Sequence, residues 1–518
     1  MPIRYRLLAL SQQDIEDPTP LLTNLGGFSE SLLAGLSSGQ WNCAVRHAHT
    51  TGAQTILLQE AVLDPDFLEE YEAFYSKQQR SVSRLCRRVH FFRTPVPAIN
   101  QNASESEQTD HVLAFIDLAA RQAKSSYLGF ITIRPLRHAP VGATILVPPP
   151  SAPAMCVDTF PVHIAGREFE VTGTPYLQQD NAVGACAQAS IWIALRTLRR
   201  RVGNSAFSPA ELTVAATKHY ALNRVFPGRH GLTASQMLEA IRSAGHDPLM
   251  FDMHGTPQDE IANRAITFAT PYLESGLPVI LALDNPDAGG GHALTAIGYS
   301  KGDIGDPFPK NITIHNDNTG CYLNIAAQPL LPGGYALNQS ISLITPLPDG
   351  ICITAAEAES LAISALRMGL PMLMSIPSID NSMGPGTPIS LSGRVFLSTR
   401  HSFRHWATES TDIDHATKTT YRTLELPKFV WVLEIHDSAI FQRGSLDSKS
   451  RLGEVILDAS ADALHGDALI LARISGLVFG PQTQDDGLLI IENGSVENNR
   501  QLIVIKAPAS HGQSQPWM

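Results

Sequence analysis

The sequence predicts a mixed α+β chain of about three domains. Three observations lead there: 518 residues exceed a single ordinary core, helical and strand patterns alternate along the chain, and two proline-rich segments interrupt them. One is Val147-Pro148-Pro149-Pro150-Ser151-Ala152-Pro153, stiff and extended because each proline fixes its own φ and turns its predecessor away from helix. The other is Thr345-Pro346-Leu347-Pro348-Asp349-Gly350. They suggest domains over 1–150, 151–345 and 346–518.

In the first domain an acidic segment, Asp64 to Gln79, has helical character, and a polar break runs from Pro97 to Asp110. Asp110 to Lys124 then shows helical periodicity, and Tyr127 to Ile133 (YLGFITI) reads as a strand that Arg134-Pro135 ends. After the second proline-rich segment, Thr354 to Glu357 has the pattern of a capping box and opens a helix to about Met368. The last third is strand-rich, with candidates at Gly393 to Thr399, Phe429 to His436, Gly453 to Asp458, Leu488 to Ile491 and Leu502 to Ile505. Asn493-Gly494 reads as a hairpin turn, and Ala509 to Met518 as a frayed polar end.

Composition excludes several functions. A net charge of −11 opposes binding to phosphate backbones, so nucleic acid is not the expected partner. The N-terminus lacks the apolar core of a secretory signal. No apolar run approaches the roughly 18–20 residues that span a bilayer, and a soluble cytoplasmic protein is expected. The six cysteines, at 43, 86, 156, 186, 321 and 352, contain no C-x-x-C pair. This predicts neither a disulfide scaffold nor a zinc knuckle. Cys321 reads as a structural thiol, and His47, His49, His230, His401 and His405 as surface or core residues.

The middle third carries the chemistry. Cys186 follows Tyr176-Leu-Gln-Gln-Asp-Asn-Ala-Val-Gly-Ala and precedes a strongly helical segment to about Leu198. A thiol at a helix N-terminus meets unpaired N–H groups and the positive end of the helix dipole, which predicts a lowered pKa. Small neighbours, Gly184, Ala185 and Ala187, leave room for a substrate backbone. A base is supplied by the next block, where Leu277 to Leu283 and His292 to Tyr299 read as strands joined by a glycine-rich loop, with His292 at the start of the second. The third block, Asn311-Ile-Thr-Ile-His-Asn-Asp-Asn-Thr-Gly320, is a short strand ending in polar residues. Asn316 or Asp317 could accept a hydrogen bond from the histidine and fix its tautomer. If strand geometry continues, alternation lets only one of them reach it, with Asp317 slightly favoured on chemistry.

These three blocks together resemble the papain-like cysteine peptidases, in particular the branch that processes bacteriocin leaders at double-glycine sites. The resemblance rests on Gln178 or Gln179 ahead of Cys186, Gly276 to Val279, Gly290 to Ala293, and Asn316 with Asp317. It covers about 190 residues of the 518. It implies a helix bearing the nucleophile Cys186 packed on an antiparallel sheet bearing the base His292, with α/β-mixed N- and C-terminal domains on either side. It further implies cleavage of a peptide or isopeptide bond in a protein substrate through a thioester, with no metal or organic cofactor. One glutamine, Gln179 ahead of Gln178 on spacing, would line the oxyanion hole beside the Cys186 N–H. A transglutaminase-like acyltransferase uses the same triad, and a papain-fold scaffold protein would lack turnover. The flanking domains carry no recognised chemistry and are read as sites for substrate or partner protein.

Overall fold

The computed structural model describes residues 5–16, 19–26, 28–36, 39–79, 81–97, 104–179, 186–203, 207–219, 231–285, 290–306, 308–309, 311–331, 333–374, 389–411, 413–444, 450–462, 467–474, 477–481, 488–492 and 502–505. The architecture is α+β, as expected, with helices set against largely antiparallel sheets. The chain forms two compact units, each assembled from separate stretches. The first comprises Met1–His254, Pro278–Gly298 and Thr313–Pro346; the second comprises Gly255–Leu277, Tyr299–Ile312 and Leu347–Met518. The change at Pro346/Leu347 falls within the second proline-rich segment, whereas position 150/151 lies inside the first unit.

In the first unit, β1 (Tyr5–Ala9), β2 (Thr55–Val62), β3 (Cys86–Phe92), β4 (Tyr127–Ile133) and β5 (Val141–Leu146) form an antiparallel sheet in chain order. The hairpin β6 (Asp158–Ile164) and β7 (Arg167–Gly173) buries Val162, Ile164, Phe169 and Val171 in the same core as Phe92, Phe115 and Tyr127. Elements on either side of the proline run at 148–153 thus share one core. β4 matches its expected span because its continuous apolar run is buried along its whole length. The acidic helix is shorter than its pattern: Asp64 caps Pro65–Glu70, and a π-helical turn, Tyr71–Tyr75, follows. Ser104 and Glu107 form a capping box, so the next helix (Glu105–Arg121) begins inside the expected polar break.

A second sheet has the spatial order β12-β11-β10-β9-β13-β8. Its strands are β8 (Asp247–Asp252), β9 (Val279–Asn285), β10 (Gly290–Tyr299), β11 (Ile312–Asn316), β12 (Gly320–Ile325) and β13 (Ser340–Leu347). β9 pairs antiparallel with both β10 and β13. The helix Cys186–Val202 runs a turn beyond its expected end. It buries Ile191, Trp192 and Leu195 in one cluster with Ile280 of β9, Ala293 of β10 and Ile344 of β13. Fully burying side chains of this size stabilises a fold by roughly 1.5–3 kcal/mol each, so packing fixes how the Cys186 helix lies on the sheet.

The second unit is built on the order β19-β18-β17-β16-β15-β14-β20. These strands are β14 (Ile389–Thr399), β15 (Phe429–Asp437), β16 (Arg451–Asp458), β17 (Leu469–Ile474), β18 (Leu477–Pro481), β19 (Leu488–Glu492) and β20 (Leu502–Ile505). All neighbours are antiparallel except β14 and β20. The helix Ile261–Glu274 belongs here: Ser275 accepts from the Leu397 N–H at 2.8 Å, and Tyr272 packs edge-on to Trp431. Such long-range partners leave no mark in local composition, and the helix lies inside the 151–345 stretch that the sequence suggests as one domain. Asn493-Gly494 and Ala509 to Met518 lie outside the described residues. No helix among the described residues is long and apolar enough to cross a membrane.

Candidate active site

Cys186 opens its helix over β10. The Ala293 N–H donates to Cys186 Sγ at 3.2 Å. One turn along, Ser190 Oγ donates to the Ala293 carbonyl (3.0 Å), and Thr295 Oγ1 donates to the Ser190 carbonyl (3.2 Å). These bonds tie the helix to the strand that carries His292, so thiol and imidazole are held by one rigid junction. Gly184 and Ala185 lie outside the described residues.

His292 pairs with Leu283 across β9 and is 6% exposed. Its Nε2 lies 3.1 Å from Asn316 Oδ1. The same oxygen accepts the Asn318 N–H at 3.0 Å, which fixes the amide orientation of Asn316. Because that oxygen only accepts, Nε2 carries the imidazole proton and Nδ1 is left as the basic nitrogen. Asp317 Oδ1 lies 3.4 Å from the same Nε2. Both candidate partners therefore reach the imidazole. β11 ends at Asn316 and Asp317 opens a turn, so strand alternation no longer separates their side chains.

Sequence reasoning missed the residues that support this set. Tyr335 lies against the imidazole, with ring centroids 4.6 Å apart and planes inclined by 30°. It follows Gly333-Gly334, whose carbonyls accept from Asn285 Nδ2 at 3.3 and 3.0 Å. Tyr176 OH donates to the carbonyls of Asn316 (3.4 Å) and Asp317 (3.3 Å). The Gly333-Gly334 pair was the one available signal, as a turn marker.

The two glutamines separate by environment. Gln178 is buried; its Oε1 accepts the Val141 N–H at 2.9 Å, and its carbonyl accepts from Arg134 at 2.8 Å. It closes the seam with β5. Gln179 is half-buried, immediately ahead of the segment leading to Cys186.

The electrostatics reverse one expectation. Burial pushes the Cys186 thiol up to about 11, and the Asp317 carboxylate acts in the same direction. The N–H groups of Ala293, Ala187 and Cys186 pull it down by less. Burial also lowers the His292 pKa, against the hydrogen bond that the imidazole gives Asn316. At neutral pH the resting pair is thus a thiol beside a neutral imidazole. Asp317 is itself raised to about 7 by burial, opposed by its own and the Asn318 N–H. The thiol held well below the ordinary range is Cys43: a hydrogen bond from Cys321 does most of this, burial opposes it, and His47 adds to it. Helix N-terminal placement alone does not make the most acidic thiol in this chain.

No protein-family model matches the chain, and no curated protein matches it.

Proposed function

We propose that the first unit is a papain-like thiol hydrolase, a cysteine peptidase that cleaves a peptide or isopeptide bond in a protein substrate. The observation that carries this reading is a pair of contacts at consecutive residues of one strand: Cys186 Sγ on the amide of Ala293, and the Nε2 proton of the preceding His292 on Asn316 beside Asp317. With Nε2–H committed to Asn316, Nδ1 is the nitrogen able to take the thiol proton as Sγ attacks a carbonyl carbon. The imidazolium so formed gains from the Asp317 carboxylate and gives its proton to the leaving amine. Water then attacks the thioester, His292 accepting its proton and returning it to Sγ as the acid product departs.

Since thiol and imidazole are neutral at rest, proton transfer accompanies attack, and His292 acts as a general base. The Cys186 N–H and the Gln179 amide are our candidates for the oxyanion donors. The chemistry requires a reduced Cys186, which fits the cytoplasm. The flanking segments would supply substrate or partner contacts. The test is digestion of a proteome-derived peptide library by the full chain and by Cys186→Ala, with products read by mass spectrometry. Cleavage specific to the wild-type chain supports the assignment; identical products from both, or none from either, sink it.

A further inference from the structure

The helix Gly39–Thr50 places Cys43 and His47 four residues apart, hence on one face. That face meets β12, whose second residue is Cys321. Two sulfurs and an imidazole nitrogen, one atom from each residue, all lie within 4.8 Å of one another. A tetrahedral zinc ion with Zn–S near 2.3 Å and Zn–N near 2.0–2.1 Å holds its donors roughly 3.5–3.8 Å apart. Side-chain shifts of about an ångström therefore close these three donors on one ion.

The frame around them is built. Gln40 Nε2 donates to the carbonyls of Asp317 (3.3 Å) and Asn318 (2.7 Å), bolting the helix to the β11–β12 turn. Trp41, Ala44, Val45 and Ala48 are fully or almost fully buried beneath it. Gly320 takes φ +145°, and a Cβ there would sit 2.5 Å from Cys43 Sγ. The sulfur occupies space that only glycine leaves. His47 Nε2 is buried without a hydrogen-bond partner among the described residues, and a buried polar atom left so asks for an explanation. A Cys43–Cys321 disulfide would use the thiols and leave the histidine unaccounted for. Two sulfurs with an imidazole, and no carboxylate in the cluster, select a borderline-soft ion over magnesium or calcium.

We propose that Cys43, His47 and Cys321 bind a zinc ion through two thiolates and one imidazole nitrogen, the remaining tetrahedral position taken by water or another ligand. On binding, the ion displaces the thiol protons to solvent. The site is separate from Cys186 and stands whether or not the first unit is a peptidase.

The experiment is titration of the full chain, reduced and stripped with chelator, with Co²⁺ alone as probe. One equivalent should produce a thiolate-to-cobalt charge-transfer band and intense visible bands of tetrahedral cobalt, both erased by one equivalent of Zn²⁺. Cys186→Ala should keep the signal. Cys43→Ser with Cys321→Ser should lose it, and His47→Ala should weaken binding about tenfold or more. In the unmodified chain, which avoids any folding defect of a variant, Zn²⁺ should protect Cys43 and Cys321 from alkylation and leave Cys186 unprotected. The proposal is overturned by absence of the charge-transfer band in the reduced wild-type chain, by its survival in the double variant, by its loss in Cys186→Ala, or by alkylation of Cys43 and Cys321 that Zn²⁺ does not slow.

Discussion

Cys186 and Cys43 stand on two helices of the first unit, and the β11–β12 hairpin runs from the neighbourhood of one to that of the other. Asn316 and Asp317, at the end of β11, serve His292 beside Cys186; Cys321, on β12, faces Cys43 and His47. Each thiol has a histidine nearby, yet their acidities move in opposite directions. At Cys186 the influences are burial and a carboxylate, which hold the proton on sulfur despite the helix N-terminus. At Cys43 the neighbouring Cys321 thiol favours the thiolate, and His47, one helical turn away, adds to this. The difference separates two properties often joined: an acidic thiol suits a metal, while a protonated thiol beside a neutral base suits attack coupled to proton transfer.

The largest effect that could break this comparison is loss of a reacting group. Cys186→Ala and His292→Ala should each lower turnover by about 10³-fold or more with folding intact, whereas Cys43→Ser should leave peptidase kcat/KM within a few-fold. Equal losses at the two cysteines would show that the sites are not distinct in role.

Next is the group that orients the imidazole. Asn316→Ala should cost about 10²-fold in kcat, as expected for a misplaced base, and more than Asp317→Asn, because Asn316 makes the shorter contact to Nε2. Side-by-side kinetics with thermal melts decide it; the reverse order would return the orienting role to Asp317.

A smaller effect is the pH dependence of stability. Asp317 is raised to about 7 in the folded chain from about 3.9 when unfolded, so the folded state holds its proton more tightly. The resulting stability is fully present below about pH 4 and is lost as pH rises through 7. Asp317→Asn should therefore melt higher than wild type at pH 8, and the gap should shrink toward pH 5. A gap independent of pH would contradict the assignment of that titration to Asp317.

Smallest in energy, though sharp as a contrast, is alkylation order. Iodoacetamide at mildly acidic pH should modify Cys43 before Cys186 in the metal-free chain, as peptide mapping would read. Prior modification of Cys186 would mean that the helix N-terminus outweighs burial after all.

Much of the candidate site was legible because its signals are short-range. The apolar helix after Cys186, the glycine-rich approach to His292 and the polar end of β11 each occupy a few consecutive residues, and the structure brings them together. What was not legible depends on residues far apart in sequence. Sγ meets an amide 107 residues away, and the sheet that buries it draws on β9, β10 and β13. Local sequence therefore suggested an acidic thiol, and burial reversed it. The Cys43, His47 and Cys321 cluster joins a helix near residue 45 to a strand near residue 321, so neither half signals the other. The fold shows the same limit: β4 and the Thr354-capped helix were readable locally, whereas the membership of Ile261–Glu274 in the second unit was set by Leu397 and Trp431.

The most direct test of the central claim is mechanism-based labelling of the unmodified chain with a peptide bearing an acyl-type electrophile, read by mass spectrometry. The arrangement of Cys186, His292 and Asn316 predicts one adduct, on Cys186, formed in wild type and in Cys43→Ser but slowed by about 10³-fold in His292→Ala. An adduct on Cys43, or one on Cys186 that forms equally fast without His292, would contradict it.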